Sequence, residues 1–165
     1  MSDVLVALGS NIAPAQRMQQ AARLLRAEFA GVRFSSCYQN PAAGFSGDDF
    51  VNAAAAFDTA LPVEQVRVKL QAIEAACGRQ RDDPKWAPRA MDLDILLYGD
   101  TISATPGLQL PRADLLRRGY MLGPAAELRP ERVHPIALRT LAVLWRELAP
   151  AGPSLTRLAL DLNAH

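Results

Sequence analysis

Two kinds of hydrophobic periodicity alternate between Asp3 and Asp100, and their order restricts the chain to few folds. Short apolar or alternating runs predict strands at residues 3–10, 32–41, 50–59 and 89–100. Apolar residues at helical spacing predict amphipathic helices at residues 14–30 and 62–78. The order strand, helix, strand, strand, helix, strand is that of the ferredoxin-like βαββαβ sandwich, an α+β fold.

Turn-forming residues mark the ends of these elements. The Gly-Ser-Asn segment at residues 9–11 predicts a turn and an N-cap for the first helix, which begins at Pro14. Pro41 is expected to end the second strand, and Gly78 to stop the second helix in the C′ position. The alanine run within residues 50–59 has good helix propensity, which competes with the strand assignment.

The rest of the chain is punctuated by prolines and predicts a C-terminal helical extension. Short helices are expected at residues 113–117 and 120–128, and a longer one at residues 136–148. No repeat or linker interrupts the sequence, so residues 1–165 are expected to form a single domain.

Composition argues against several classes of function. The 18 Lys and Arg residues balance the 17 Asp and Glu residues, so no global field would attract nucleic acid or an anionic membrane. Cys37 and Cys77 lack a CxxC spacing and are expected to be buried free thiols. The N-terminal segment has neither the basic region nor the apolar length of a signal peptide, so a cytoplasmic location is expected.

A pair of aspartates interrupts the apolar run at residues 89–100. In a strand, Asp92 and Asp94 would point to the same face with Cα atoms about 6.6 Å apart, while Met91, Leu93 and Ile95 face the core. Two carboxylates this close repel each other unless a cation neutralises them, and Mg²⁺ favours one or two carboxylates together with waters and phosphates. The alternative is a solvent-facing strand edge whose aspartates only confer solubility.

A basic loop immediately precedes the acidic pair. Its cations are Arg79, Arg81, Lys85 and Arg89. Cations beside a metal site can neutralise the charge of a bound triphosphate. The alternative is that this run of charges is only a solvent-exposed surface, which is the more common case. Trp86 could likewise be a core residue beneath the loop. The sequence contains neither a GxxxxGK[ST] phosphate loop nor a GxGxxG motif, and His134 and His165 are too isolated for a triad or a zinc cluster.

The segment KWAPRAMDLDILLYG at residues 85–99 resembles the signature of the 6-hydroxymethyl-7,8-dihydropterin pyrophosphokinase family, which typically reads R-W-G-P-R-x-x-D-L-D-I. Four further segments match the family in order: ALGSN at 7–11, FVNAA at 50–54, IEAACGRQR at 73–81 and RRGYML at 117–122. The family has a ferredoxin-like α+β fold, in agreement with the element order.

The resemblance implies an ATP-dependent pyrophosphokinase of folate biosynthesis that transfers the β,γ-diphosphate of ATP to the pterin hydroxymethyl group and releases AMP. Asp92 and Asp94 would bind two Mg²⁺ ions, and Arg79 and Arg89 would stabilise charge on the transferring group. The implied ATP-binding residues are Gln71, Glu74, Arg79, Arg81, Trp86, Arg89, Arg112 and Arg118. Either Asp94 or a metal-bound alkoxide could accept the hydroxyl proton.

The resemblance also implies a pterin site. Its residues are Asn40, Pro41, Ala43, Phe50, Asn52, Trp86 and Tyr120. Phe50 and Tyr120 would stack on the two faces of the ring, and Asn52 would hydrogen-bond its edge. Strand alternation places Phe50 and Asn52 on one face, so both are expected to be buried or both functional. The substrates would be ATP and the hydroxymethyl-dihydropterin, and the chain would act as a monomer.

Several positions depart from the family pattern. Asn40 precedes Pro41 where a threonine is usual, Arg112 replaces a histidine, Ala113 an aromatic residue, and Gly107 an arginine. These departures leave open a paralogue acting on a related pterin, or a pterin- or nucleotide-binding protein without turnover. A ferredoxin-like RNA-binding or regulatory module is a further alternative, opposed by the near-neutral charge and by the absence of interleaved aromatic residues on the central strands.

Overall fold

A central antiparallel sheet organises the protein, whose computed structural model describes residues 1–40, 49–78 and 90–164. The strands are β1 (Ser2–Ser10), β2 (Arg33–Phe34), β3 (Tyr38–Asn40), β4 (Phe50–Thr59), β5 (Asp92–Tyr98), β6 (Ser103–Thr105), β7 (Leu108–Leu110) and β8 (Thr156–Arg157). The sheet has the order β5-β1-β4-β3-β8, with β2 also paired to β4, while β6 and β7 form a separate hairpin. The two long strands β1 and β4 therefore lie at its centre.

Helices cover both faces of the sheet. They are α1 (Pro14–Glu28), α2 (Val63–Ala76), α3 (Gly119–Leu128) and α4 (Leu141–Leu148), with 3₁₀ turns at Ala113–Leu116 and Ala149–Ala151. One apolar cluster joins α1 and α2 to the sheet, and a second joins α3 and α4 to the opposite face. The C-terminal extension thus forms a third layer. The mixed helices and antiparallel sheet confirm the α+β class.

Alternation along β1 divides its side chains between these two clusters. Val4, Val6 and Leu8 belong to the first cluster, whereas Leu5 and Ala7 belong to the second. The alanine run of β4 alternates in the same way and is buried on both faces. Tertiary burial therefore outweighs the helix propensity of this run, and the predicted strand at residues 50–59 is confirmed.

A register shift interrupts the pairing of β1 with β5 just after the acidic pair. Leu5 pairs with Leu97 and Val6 with Ile95, so Leu96 is an extra residue in β5. Leu96 and Leu97 are both buried in the cluster below α3, although neighbouring strand residues normally point to opposite faces. Before this bulge the alternation is regular, and Leu93 and Ile95 lie in the first apolar cluster, so the prediction that they face the core is confirmed.

Some predicted elements differ from the observed ones. The strand predicted at residues 32–41 is broken into β2 and β3. At the break, Ala54 N donates to the Ser35 hydroxyl at 2.8 Å instead of to a main-chain carbonyl of the neighbouring strand. The helix predicted at residues 136–148 begins only at Leu141, because Ile136 N and Ala137 N instead donate to the ring of His134.

The predicted N-cap before α1 is wrong. The capping position belongs to Ala13, which has left-handed backbone and no side-chain hydrogen bond, and β1 extends through Ser10. The end of α2 is confirmed: Gly78 follows Cys77 with φ of 101°. Cys37 and Cys77 are buried free thiols, as expected. None of the helices in the described part of the chain combines the length and apolar character needed to span a bilayer.

Candidate functional site

Two cavities meet beside β5. The small cavity, of about 270 Å³, lies over the ends of β1, β4 and β5 and under α3, and its lining includes Asn52 and Tyr120. The large cavity, of about 950 Å³, lies between α2, β5 and β7, and its lining includes Gln71. Asp94, Arg112 and Asp114 line both cavities. The acidic strand therefore contributes to both sites at their border.

Gly9 creates the floor of the small cavity. It pairs with Asn52 of β4 on one side and with Asp92 of β5 on the other. A Cβ atom at Gly9 would lie 3.0 Å from the side-chain oxygen of Asn52. Because this distance is tighter than ordinary van der Waals contact, a side chain here would push against the amide that lines the cavity.

Phe50, Asn52 and Asn40 form one wall of the small cavity. Asn40 pairs with Phe50 across β3 and β4, and Tyr38 pairs with Asn52. Asn52 is 6% exposed, and its side-chain nitrogen donates to the side-chain oxygen of Asn40. The predicted common face of Phe50 and Asn52 is therefore confirmed, and the buried amide has a protein partner at the position that departs from the family threonine.

The opposite wall comes from α3. Tyr120 and Met121 line the small cavity, and α3 begins after Arg118. Burial raises the pKa of the Tyr120 phenol, so this group is neutral at physiological pH. Phe50 and Tyr120 thus contribute aromatic rings from different elements to one cavity. Their stacking on a pterin ring stays a prediction.

Arg112 forms an ion pair with the acidic strand. Its Nη1 lies 3.6 Å from Asp94 Oδ1, and its main-chain nitrogen donates to Leu96 O at 3.0 Å. The Arg112 side chain is 39% exposed and that of Asp94 27%, so water and a ligand can reach both groups. The pair brings a permanent positive charge to the border between the cavities.

Glu74 fixes the strand that carries the acidic pair. This carboxylate is 8% exposed and accepts from the main-chain nitrogen of Leu93 at 2.8 Å, between Asp92 and Asp94. A buried main-chain N–H group needs an acceptor, and here the Glu74 carboxylate of α2 provides it. The bond therefore connects α2 to β5. Gln71 lies one turn earlier on α2, and both residues line the large cavity. Their role in nucleotide binding stays a prediction.

Other predicted site residues are not brought together by the described structure. Arg118 lines neither cavity, whereas its neighbour Arg117 lines the large one. Six predicted residues lie outside the described residues: Pro41, Ala43, Arg79, Arg81, Trp86 and Arg89. Their roles stay predictions.

Sequence reasoning missed three residues of the site. Gly9 was expected only in a turn, Asp114 had no assigned role, and Arg67 was treated as part of an ordinary amphipathic helix. The spacing of Arg67, Gln71 and Glu74 is a usable signal, because residues four and three apart lie on one face of a helix.

Comparisons with known proteins point to one enzyme family. The family model described as 7,8-dihydro-6-hydroxymethylpterin-pyrophosphokinase (HPPK) matches residues 5–130. A Pseudomonas aeruginosa protein named 2-amino-4-hydroxy-6-hydroxymethyldihydropteridine pyrophosphokinase is 40% identical over 134 residues, covering 78% of this chain and 81% of the relative. A Methylorubrum extorquens protein of the same name is 34% identical over 156 residues, covering 92% of this chain and 97% of the relative.

Solved structures show the same fold at low identity. The crystal structure of Plasmodium falciparum HPPK-DHPS wild type with pteroate superposes with a TM-score of 0.67 and 12% identity, over 88% of this chain. This chain spans 42% of that longer protein, and at this identity the likeness concerns the fold alone.

Proposed function

Because the chain belongs to the 7,8-dihydro-6-hydroxymethylpterin-pyrophosphokinase family, we propose that it transfers the β,γ-diphosphate of ATP to the hydroxymethyl oxygen of 6-hydroxymethyl-7,8-dihydropterin. The products are AMP and the pterin diphosphate, and the reaction serves folate biosynthesis. The observation that carries the proposal is the border shared by two unequal cavities, lined by Asp94, Arg112 and Asp114. A reaction between two bound molecules needs their reacting atoms held together at such a border.

The two substrates would occupy the cavities according to size and chemistry. The pterin would lie in the small cavity between Phe50 and Tyr120, with Asn52 at its edge, because a flat heteroaromatic ring is bound by stacking and amide hydrogen bonds. ATP would occupy the large cavity along Gln71 and Glu74, with its phosphates toward the acidic strand.

Asp92 and Asp94 fit a divalent cation with oxygen ligands. They lie two residues apart in β5, both line the small cavity, and their strand neighbours Gly9 and Ala7 have little or no side chain. Among residues 1–40, 49–78 and 90–164, no group of three or more His, Cys, Asp or Glu side chains is arranged to hold a metal. Two carboxylates suit Mg²⁺, which keeps several waters and binds substrate phosphates.

Two Mg²⁺ ions would be held by this pair, and when bound they neutralise and align the triphosphate. Arg112 would add a permanent positive charge at the transferring group. Phosphoryl transfer passes through a loose transition state, so positioning and charge neutralisation account for most of the catalysis. Glu74 would keep the acidic strand in register through its bond to Leu93 N.

The proposal extends to the strand arrangement, the oligomeric state and the location of the protein. The strand order β5-β1-β4-β3, with α1 and α2 on one face, supports a ferredoxin-like arrangement with a C-terminal helical layer. We propose that residues 1–165 act as a single monomeric domain in the cytoplasm.

Incubation with ATP, Mg²⁺ and the hydroxymethyl-dihydropterin tests the activity, with AMP as the product measured. We expect Asp92→Asn to reduce AMP formation by at least about 100-fold, comparable with the loss of one preorganised electrostatic contact. The melting temperature should hold or rise, because the change relieves a like-charge pair. Asp58→Asn, at an exposed carboxylate of β4, is the matched control. Near-normal turnover of Asp92→Asn at saturating Mg²⁺ would refute the metal assignment. Wild-type protein that binds both substrates but forms no AMP would refute the proposed enzymatic activity.

A further inference from the structure

The chain has three tyrosines, and two of them use the hydroxyl group to hold the fold together. Tyr38 of β3 donates to the Glu127 carboxylate, and Tyr98 of β5 donates to Leu61 O. Within the described part of the chain, the Tyr120 hydroxyl makes no such bond, and it is not one of the buried polar atoms that lack a partner. The hydroxyl of Tyr120 is therefore left accessible to a ligand in the small cavity.

The packing of α3 holds Tyr120 at this cavity. Gly119 and Gly123 lie one turn apart on the helix, and a Cβ atom at either would meet the Trp145 indole, at 3.5 Å and 3.1 Å respectively. This glycine face of α3 therefore packs directly on α4. Tyr120 follows Gly119, about 100° further around the helix, and lines the small cavity. Close packing on one side of α3 thus positions the tyrosine side chain on another.

The phenol end of Tyr120 lies near the border between the two cavities. Burial raises the pKa of this phenol, and four charged groups act on it as well: Arg118, Asp114, Asp94 and Arg112. Electrostatic effects weaken with distance, and the pKa is a property of the hydroxyl oxygen, so these charges lie near that atom. Three of them, Asp94, Arg112 and Asp114, line both cavities. The ring therefore forms a wall of the small cavity, while its hydroxyl lies toward the shared border.

We propose that the Tyr120 hydroxyl donates a hydrogen bond to the hydroxymethyl oxygen of the pterin and orients this oxygen toward the transferring phosphorus. The inference rests on the proposed function, which sets the pterin ring in the small cavity and the phosphates beside Asp94 and Arg112. The hydroxymethyl group rotates about a single bond, so its oxygen can leave the ring plane and meet the hydroxyl of a stacked tyrosine. One lone pair of that oxygen then accepts from Tyr120, and the other is free to attack phosphorus, the alignment that such a transfer needs.

Two ligands that differ by one oxygen test this contact: 6-hydroxymethyl-7,8-dihydropterin and 6-methyl-7,8-dihydropterin. Calorimetry is done with Mg²⁺ and an ATP analogue that carries a methylene group between the α and β phosphates, so that no transfer occurs. Tyr120→Phe removes the hydroxyl and keeps the ring. We expect it to weaken binding of the hydroxymethyl ligand about 3- to 10-fold, the size of one hydrogen bond, and to leave binding of the methyl ligand within about twofold. With ATP, kcat should fall about 10-fold, because the oxygen is less well oriented.

Tyr98→Phe is the matched control, because its hydroxyl donates to Leu61 O and Tyr98 lines neither cavity. It should change neither the two affinities nor kcat. Equal weakening of both ligands in Tyr120→Phe would assign its hydroxyl to holding the wall and overturn the contact. A lower kcat with unchanged affinity for both ligands would place the hydroxyl on the phosphates instead, which also overturns it. Wild-type protein that forms no AMP would refute the proposed function, whereas normal AMP formation with unaltered binding and kcat in Tyr120→Phe refutes only this inference.

Discussion

Gly9 shows how one missing side chain can define a binding site. It lies between Asn52 and Asp92 in the sheet, and a Cβ atom there would be 3.0 Å from the Asn52 amide oxygen. We expect Gly9→Ala to weaken pterin binding by about 1–3 kcal/mol, the usual cost of overpacking. Fluorescence or calorimetric titration with the pterin measures the effect, while ATP affinity should stay close to that of the wild type.

A glycine outside the site provides the control for this prediction. In Gly152→Ala the new Cβ would meet its nearest heavy atom at 4.0 Å, an ordinary contact, so both affinities should be unchanged. Equal losses of pterin and ATP affinity in Gly9→Ala would instead indicate that the sheet itself is distorted.

Arg112 combines a permanent charge with a position on the border between the cavities. Its Nη1 lies 3.6 Å from Asp94 Oδ1, so the guanidinium faces the acidic strand. We expect Arg112→Ala to raise the KM for ATP and to lower kcat. Arg112→His should restore activity mainly below about pH 6.5, where an unperturbed imidazole is protonated. Steady-state kinetics between mildly acidic and mildly basic pH measure both effects, with the exposed Arg33→Ala as control. ATP kinetics that do not change in Arg112→Ala would contradict a phosphate contact.

At the scale of elements, Glu127 joins the two walls of the small cavity. Its carboxylate on α3 accepts from Ser36 N at 2.7 Å and from the Tyr38 hydroxyl, while Tyr120 of α3 and Asn40 of β3 line the cavity. Burial raises the pKa of Glu127, but the bonds from Tyr38 and Ser36 outweigh it and the net pKa is lowered. Burial, followed by the bond to Glu127, raises the pKa of Tyr38 to about 12.

Loss of this carboxylate should loosen both walls at once. We expect Glu127→Gln to lower the free energy of unfolding by about 1 kcal/mol, a figure that already takes solvent screening into account. The same change should weaken pterin binding. Because the pKa of Glu127 is depressed, its stabilisation is present above the ordinary value of 4.5 and is lost as pH falls through the lowered value. Urea unfolding at several pH values measures this, with Glu131→Gln as the exposed control. Equal pH dependence in both variants would contradict the bond.

The elements that sequence predicts well are those whose burial has a clear period. Five elements follow an alternating or helical pattern because each packs a defined face against the core: β1, α1, β4, α2 and β5. The β6–β7 hairpin and β8 have two or three residues per strand, too few to show a period. The break at Ser35 depends on a hydrogen bond between its side chain and the neighbouring strand. The local sequence pattern does not predict such a bond.

At the scale of the whole molecule, the sheet brings distant residues of the chain to one place. The acidic pair and the Phe50–Asn52 face could be predicted because each depends only on alternation within its own strand. The border between the cavities could not, since it requires β1 to lie between β4 and β5 and Arg112 to reach Asp94. Arg67 was missed for the same reason: its guanidinium donates to Gly107 O, which is 40 residues away in sequence.

Stability of the whole fold in acid should depend on His134. Its ring is 2% exposed, Nδ1 accepts from Ile136 N and Ala137 N, and burial lowers the pKa below the ordinary value of 6.5. The folded state therefore keeps the ring neutral, while the unfolded chain binds a proton below pH 6.5. The free energy of unfolding should fall as pH drops from 6.5 toward the lowered value, by at most about 1.4 kcal/mol per pH unit from this group.

Replacement of the ring by a residue that does not titrate isolates this effect. Asparagine can accept from nearby main-chain nitrogens, so His134→Asn should keep the turn before α4 while losing packing. We expect this variant to be less stable at pH 7 and to lose less stability than the wild type between pH 7 and pH 5.5, as measured by urea unfolding. His165→Asn, at the other histidine, should retain the wild-type pH dependence. If His134→Asn loses as much stability as the wild type between pH 7 and pH 5.5, titration of His134 is not the source of the acid sensitivity in this range.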